Sequence, residues 1–129
     1  MTGPAYEGML ARRRIMVVED EYFIADDMAK ALERLGAEIV GPVPTRDQAL
    51  ALLKAGPVDA AVLDINLKRQ TVYPVADALR EHGVPFVFAT GLAEGVVLPA
   101  YQDVPLWEKP FKPESLAQAL PSLIQTLGS

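Results

Sequence analysis

The chain has 129 residues, enough for one compact domain and short of two. Half of them are hydrophobic, which excludes a disordered composition, and 12 basic against 17 acidic residues leave a formal net charge of −5, a poor basis for non-specific nucleic-acid binding. There is no cysteine, so disulfides, thiol catalysis and cysteine-ligated zinc are excluded, and a reducing cytosol fits.

No apolar run approaches the ~20 residues that span a bilayer, and the start of the chain lacks the apolar core of a signal peptide. A cytoplasmic protein without membrane or nucleic-acid partners is expected. Residues 1–13 read as a flexible tail ahead of a single domain over 14–129. Arg12-Arg13-Arg14 reads as the solvated start of a strand rather than a binding patch.

Ile15-Met16-Val17-Val18 is continuous and β-branched, as in a strand buried on both faces. The acids Glu19-Asp20-Glu21 follow it. Ile24, Met28, Ala31 and Leu35 then form a helical stripe that Gly36 ends. Ile39-Val40 is a short second strand closed by Gly41-Pro42. Thr45-Arg46-Asp47-Gln48 has the pattern of a capping box and opens a helix that ends at Gly56-Pro57. Ala60-Ala61-Val62-Leu63 is a third strand running into Asp64. Pro74 suits a first helical position, and Val75, Ala78 and Leu79 carry that helix to Gly83. Pro85-Phe86-Val87-Phe88-Ala89 is a fourth strand, ending at Thr90-Gly91.

Over residues 92–104 the signal fails, because Gly95, Val96, Val97 and Pro99 are poor company for a helix. A short or irregular fourth helix is expected there. Leu106-Trp107-Glu108 is a brief fifth strand before Lys109-Pro110. The last helix puts Leu116, Ala119, Leu120, Leu123, Ile124 and Leu127 on one face, with Pro121 inside it.

Strands alternating with helices predict an α/β fold, with a doubly wound, five-stranded parallel sheet covered on both faces. Right-handed crossovers favour the flavodoxin-like strand order 2-1-3-4-5. In such a sheet ligands bind beyond the carboxyl ends of the strands, at the switch point between strands one and three. The strand ends supply Glu19 and Asp20, then Asp64, Thr90 and Lys109. Clustered carboxylates need a neutralising charge, and an all-oxygen set without histidine or cysteine favours Mg²⁺. A lysine and a hydroxyl opposite the metal suit the oxygens of a transferring phosphoryl group. A carboxylate can itself be the nucleophile, and Asp64, beside the switch point, is assigned that role. His82, near a helix end, reads as a surface residue, and Trp107 as packing. There is no glycine-rich phosphate loop to support nucleotide binding.

These residues resemble the receiver domains of two-component response regulators, over residues 14–127. The resemblance lies in Val17-Val18-Glu19-Asp20-Glu21, Val62-Leu63-Asp64-Ile65-Asn66, Thr90 and Lys109-Pro110-Phe111, in that order. Pro85-Phe86-Val87-Phe88-Ala89-Thr90-Gly91 also resembles the FAT GUY subgroup, whose members are often single-domain regulators working with histidine kinases of the HWE or a related class.

The resemblance implies that Asp64 is the phosphoacceptor. It implies Mg²⁺ held by Asp20, Asp64 and the backbone carbonyl of Asn66, with Glu19 helping through water. Thr90 would bond the phosphoryl group, Lys109 would pair with its charge, and Lys109-Pro110 would be cis. The donor would be a histidine kinase or a phosphotransfer protein, and the output a changed affinity for a protein partner. Such a stand-alone receiver catalyses its own phosphotransfer and dephosphorylation without being an enzyme in the ordinary sense.

Two features depart from the family pattern. Many receivers switch through an aromatic three residues before the lysine, where this chain has Leu106. The irregular 92–104 stretch occupies part of the usual output surface, and could itself rearrange on phosphorylation. Two other functions compete. One is a receiver-fold adaptor that acts without phosphate, which Leu106 keeps open. The other is a small aspartyl-nucleophile phosphatase, disfavoured because Asn66 stands where a second acid is needed.

Overall fold

The computed structural model describes residues 8–68, 70–91 and 97–128, the last three without side chains. Five strands form one parallel sheet: β1 (Arg14–Val18), β2 (Glu38–Val43), β3 (Ala60–Leu63), β6 (Phe86–Gly91) and β7 (Leu106–Lys109). Between β3 and helix α3 (Tyr73–Glu81) a small antiparallel hairpin adds β4 (Asn66–Leu67) and β5 (Gln70–Thr71). The sheet order is β2-β1-β3-β6-β7. With the hairpin set aside, this is the expected order 2-1-3-4-5. The hairpin was not anticipated, because two-residue strands carry no periodic signal.

Every residue of β3 is buried, as is β1 after Arg14, so each strand feeds cores on both faces. On one face Ile15, Val17, Val62 and Val87 pack under α1 (Tyr22–Arg34) and α4 (Pro113–Gly128). On the other, Met16, Val18, Leu63 and Phe88 pack under α2 (Arg46–Ala55) and α3.

The helices start and stop much as their residues dictate. Thr45 caps α2, its Oγ1 accepting from Gln48 N–H at 3.2 Å. The return contact differs from a full capping box: the Thr45 hydroxyl donates to Gln48 Oε1 at 3.0 Å. Pro74 occupies the second position of α3, after Tyr73. In α4 the buried stripe is Leu116, Ala117, Leu120 and Ile124, while Ala119 is exposed. Two alanines two residues apart give the pattern too little contrast to choose between them. Pro121 sits within α4, and the helix runs on to Gly128.

Residues 8–13 depart from a loose tail. Leu10 is wholly buried in the core cluster under α1 and α4, and its N–H donates to Leu35 O at 2.8 Å. Gly36, at φ +96, makes room for this turn, since a side chain there would meet the Ala11 backbone at 3.1 Å. A single leucine among small and charged residues had no periodicity to announce it. Residues 1–7 lie outside the described residues.

After β6 the described chain resumes at Val97, and its regular structure before β7 is a single 3-10 turn, Pro99–Tyr101. That agrees with an irregular fourth element. Residues 92–96 of that expectation lie outside the described residues. No helix among the described residues is long and apolar enough to cross a membrane.

Candidate functional site

Parallel strands all point the same way, so their carboxyl ends share one edge. Asp64 N–H donates to Val18 O at 2.9 Å, which sets the end of β3 beside the end of β1. Glu19 N–H donates to Val43 O at 3.0 Å, extending that edge toward β2. Glu19, Asp20 and Asp64 each present a carboxylate oxygen within 4.8 Å of the other two. Glu19 and Asp64 are buried, at 6% and 2% exposure, and Asp20 is half-buried. An open groove between α1 and Pro42-Val43-Pro44 reaches Glu19 and Asp20 from solvent.

Lys109 arrives from the end of β7. Its Nζ lies 2.7 Å from Glu19 Oε1, 3.3 Å from Asp64 Oδ2 and 3.9 Å from Glu21 Oε1. Backbone amides hold the acids from the other side. Glu21 N–H donates to Glu19 Oε2 at 3.1 Å, and Asn66 N–H donates to Asp64 Oδ1 at 3.3 Å. Thr90 is buried near the end of β6, in register with Glu108. The expected residues Glu19, Asp20, Asp64, Asn66 and Lys109 are thus brought together, with Thr90 on the same edge. The Lys109–Pro110 peptide is cis, and so is Gly41–Pro42, which was not foreseen.

The charges in this cluster do not balance. Three carboxylates cluster beside one half-buried ammonium, which pairs with Glu19 and Asp64. Burial, with the neighbouring Asp64 charge, pushes Glu19 up to about 8 against the pull of Lys109. Burial acts to lower Lys109, but its bond to Glu19 and the charge of Asp64 outweigh that and raise it. The ammonium therefore stays charged, and two carboxylate charges are left over, to be met by a proton at Glu19 or by a further cation. An all-oxygen donor set with surplus negative charge fits a hard divalent ion such as Mg²⁺.

Around the cluster, Leu106 is 42% exposed and in register with Phe88. Trp107 pairs with Ala89 on the opposite face and packs half-buried against Phe111, with ring centroids 5.8 Å apart. It therefore points away from the face shared by Leu106 and Thr90. Glu21 and the groove were missed by sequence reasoning. Glu21 could have been found from its place in the acidic triplet, whereas the groove depends on where β2 meets α1.

Residues 15–121 match the family described as Response regulator receiver domain. Among curated proteins, the transcriptional regulatory protein PdtaR of Mycobacterium tuberculosis is 26% identical over 125 residues. That match covers 95% of this chain but 61% of PdtaR, so the chain spans about three fifths of its relative. Among solved structures, SdrG from Sphingomonas melonis Fr1 is 41% identical, with a TM-score of 0.78 over 88% of this chain and 97% of that one. The BeF3-activated conformation of SdrG is 42% identical, covers 88% of this chain and 98% of that one, and has a TM-score of 0.71. The response regulator PhyR from Brucella abortus is 29% identical, with a TM-score of 0.75 over 92% of this chain and 51% of PhyR. The matched span takes in every strand end that carries the acids, the threonine and the lysine, and the chain belongs to the response regulator receiver domain family.

Proposed function

We propose that this receiver domain accepts a phosphoryl group on Asp64 in a Mg²⁺-dependent reaction and thereby changes its affinity for a protein partner. The observation that carries this reading is the placement of Asp64. Its carboxylate is buried at the switch-point edge, clustered with Glu19 and Asp20, and 3.3 Å from Lys109 Nζ. A carboxylate oxygen of Asp64 attacks the phosphorus of a phosphohistidine. A P–O bond forms, the P–N bond breaks, and the imidazole takes up a proton. Lys109 pairs with the transferred charge, and Thr90 donates its hydroxyl to a phosphoryl oxygen. Asp20, Asp64 and the Asn66 carbonyl would hold Mg²⁺, with help from Glu19. When bound, the ion would neutralise charge on the phosphoryl oxygens.

Receiver domains are in general signalling modules rather than enzymes of metabolism, and binding is the output proposed here. The donor is a histidine kinase, of HWE type on the FAT GUY resemblance, or a phosphotransfer protein. PhyR of Bartonella quintana is described as an anti-anti-sigma factor, and this chain covers 49% of it. An anti-sigma factor is therefore one class of downstream partner to test. The deciding experiment is intact mass after incubation with Mg²⁺ and acetyl phosphate or the phosphorylated kinase. A single phosphoryl adduct is expected in wild type and none in Asp64→Asn. An adduct that survives the substitution sinks the assignment.

A further inference from the structure

The hairpin that follows Asp64 is tied to helix α2 at two points. Arg46 N–H belongs to the first turn of α2, where no helical carbonyl can meet it, and it donates to Gln70 Oε1 at 3.4 Å. The Arg46 guanidinium donates through Nη1 to Thr71 O at 3.5 Å. Both acceptors belong to β5, the second strand of the hairpin. Arg46 holds the first position of α2, where the helix dipole disfavours a cation. Its placement is explained by the hairpin rather than by the helix.

The hairpin in turn orients Asn66. Asn66 faces Thr71, Leu67 faces Gln70, and in the same register Val72 N–H donates to Ile65 O at 2.9 Å. Facing pairs in an antiparallel ladder alternate between exchanging hydrogen bonds and turning their peptide groups outward. Ile65–Val72 is a bonded pair, so Asn66–Thr71 is the next, outward-turned one. The Thr71 carbonyl turns out toward Arg46. The Asn66 N–H turns out toward Asp64, reaching Oδ1 at 3.3 Å. In an extended residue N–H and C=O share one side of the strand, so the Asn66 carbonyl leaves the hairpin on the side of the acid cluster. Leu67, 3% exposed, pins β4 into the core, whereas Gln70 is half-buried and Thr71 exposed. The strand that needs holding from outside is β5, and α2 holds it.

We propose that Gln70 and Arg46 are positioning residues: by tying β5 to α2 they keep the Asn66 carbonyl on the acid cluster and so set the affinity of the site for Mg²⁺. The proposal rests on the reading of the Asp64 edge as a Mg²⁺ site. Neither residue belongs to the carboxylate cluster, and both act through the hairpin backbone. An arginine that acted through its charge alone would repel a cation, and its removal would tighten binding. The tie predicts the opposite sign.

The test is calorimetric titration of Mg²⁺ into wild type, Gln70→Met, Arg46→Met, Arg46→Lys and the double variant Gln70→Met/Arg46→Met. Both residues lie outside the two core clusters, so the variants keep the fold. Each single methionine variant is expected to bind Mg²⁺ about threefold more weakly and the double variant about tenfold, the low end for residues that hold a metal ligand in place. Arg46→Lys keeps a donor for Thr71 O and is expected to retain most of the wild-type affinity. Amide exchange at Asn66 and Val72 should quicken in the methionine variants while that of β1 does not. A double variant that binds Mg²⁺ as wild type does, or more tightly, overturns the tie and leaves the metal site standing, as does exchange that quickens equally in β1. A wild type that binds no Mg²⁺ overturns both.

Discussion

The acidic edge and the aromatic seam between α3 and the 3-10 turn lie on the same sheet but are held in different ways. At the acidic edge, backbone hydrogen bonds position the residues: Asp64 is tied to Val18, and Glu19 to Val43. The seam has no strand pairing of its own. Its parts are joined by side chains, with Tyr101 on Asp77 and Arg80 on Asp103 and Ala100. An edge fixed by main chain keeps its geometry when its charge changes. A segment fixed by a few side chains can leave when those contacts are outweighed. The two regions are therefore expected to differ in how readily they open to solvent exchange.

That contrast can be attacked from either side. The largest effect is expected from Asp64→Asn, which should abolish the phosphoryl adduct in intact mass while leaving amide exchange over residues 98–103 at the wild-type rate. Next is Phe88→Ala, which removes a fully buried ring that touches Tyr73, Phe86 and Tyr101. Urea unfolding should show a loss of about 3–5 kcal/mol. Protection of residues 98–103 should then fall more than that of β1.

Lys109→Met should come close behind, with a loss of about 3 kcal/mol at pH 8, because it leaves Glu19 and Asp64 buried without their ammonium. Lys109 is raised in the folded state, so its contribution is complete below its unfolded value and is lost only as pH rises through the folded one. It is therefore fully present at pH 8. Added Mg²⁺ should recover part of the loss in a thermal melt, and a metal that recovers none would argue against a cation site.

Smaller effects are expected from protons at Glu19. Its folded value, about 8, lies above its ordinary 4.5. Its contribution to the metal-free fold is thus complete below about 4.5 and is lost as pH rises through about 8. Binding of Mg²⁺ should run the opposite way, tightening between pH 6 and 8.5 as the competing proton leaves, with a slope of up to about tenfold per pH unit for one proton. Glu19→Gln should flatten that profile in calorimetric titrations. The smallest change in stability is expected from Tyr101→Phe, about 1 kcal/mol for one hydrogen bond, read in urea unfolding.

The parallel sheet was legible because Ile15-Met16-Val17-Val18, Ala60-Ala61-Val62-Leu63 and Phe86-Val87-Phe88 are continuous apolar runs between helical patterns. The acids were legible because each directly follows such a run. The hairpin after Asp64, the docked Leu10 and the burial of Ala117 in place of Ala119 were not. Each depends on what packs against one or two residues rather than on a repeating pattern.

The order of apolar runs and the residues that end them determined the fold class, the shared edge and the acids, threonine and lysine upon it. Parallel strands carry their carboxyl ends to one side whatever their neighbours are. Only the tertiary structure decided that Lys109 bridges Glu19 and Asp64, that Trp107 faces away from Thr90, and that Tyr101 meets Phe88. Those contacts join residues far apart in the chain, and only the packing of the helices and turns on the sheet brings them within reach.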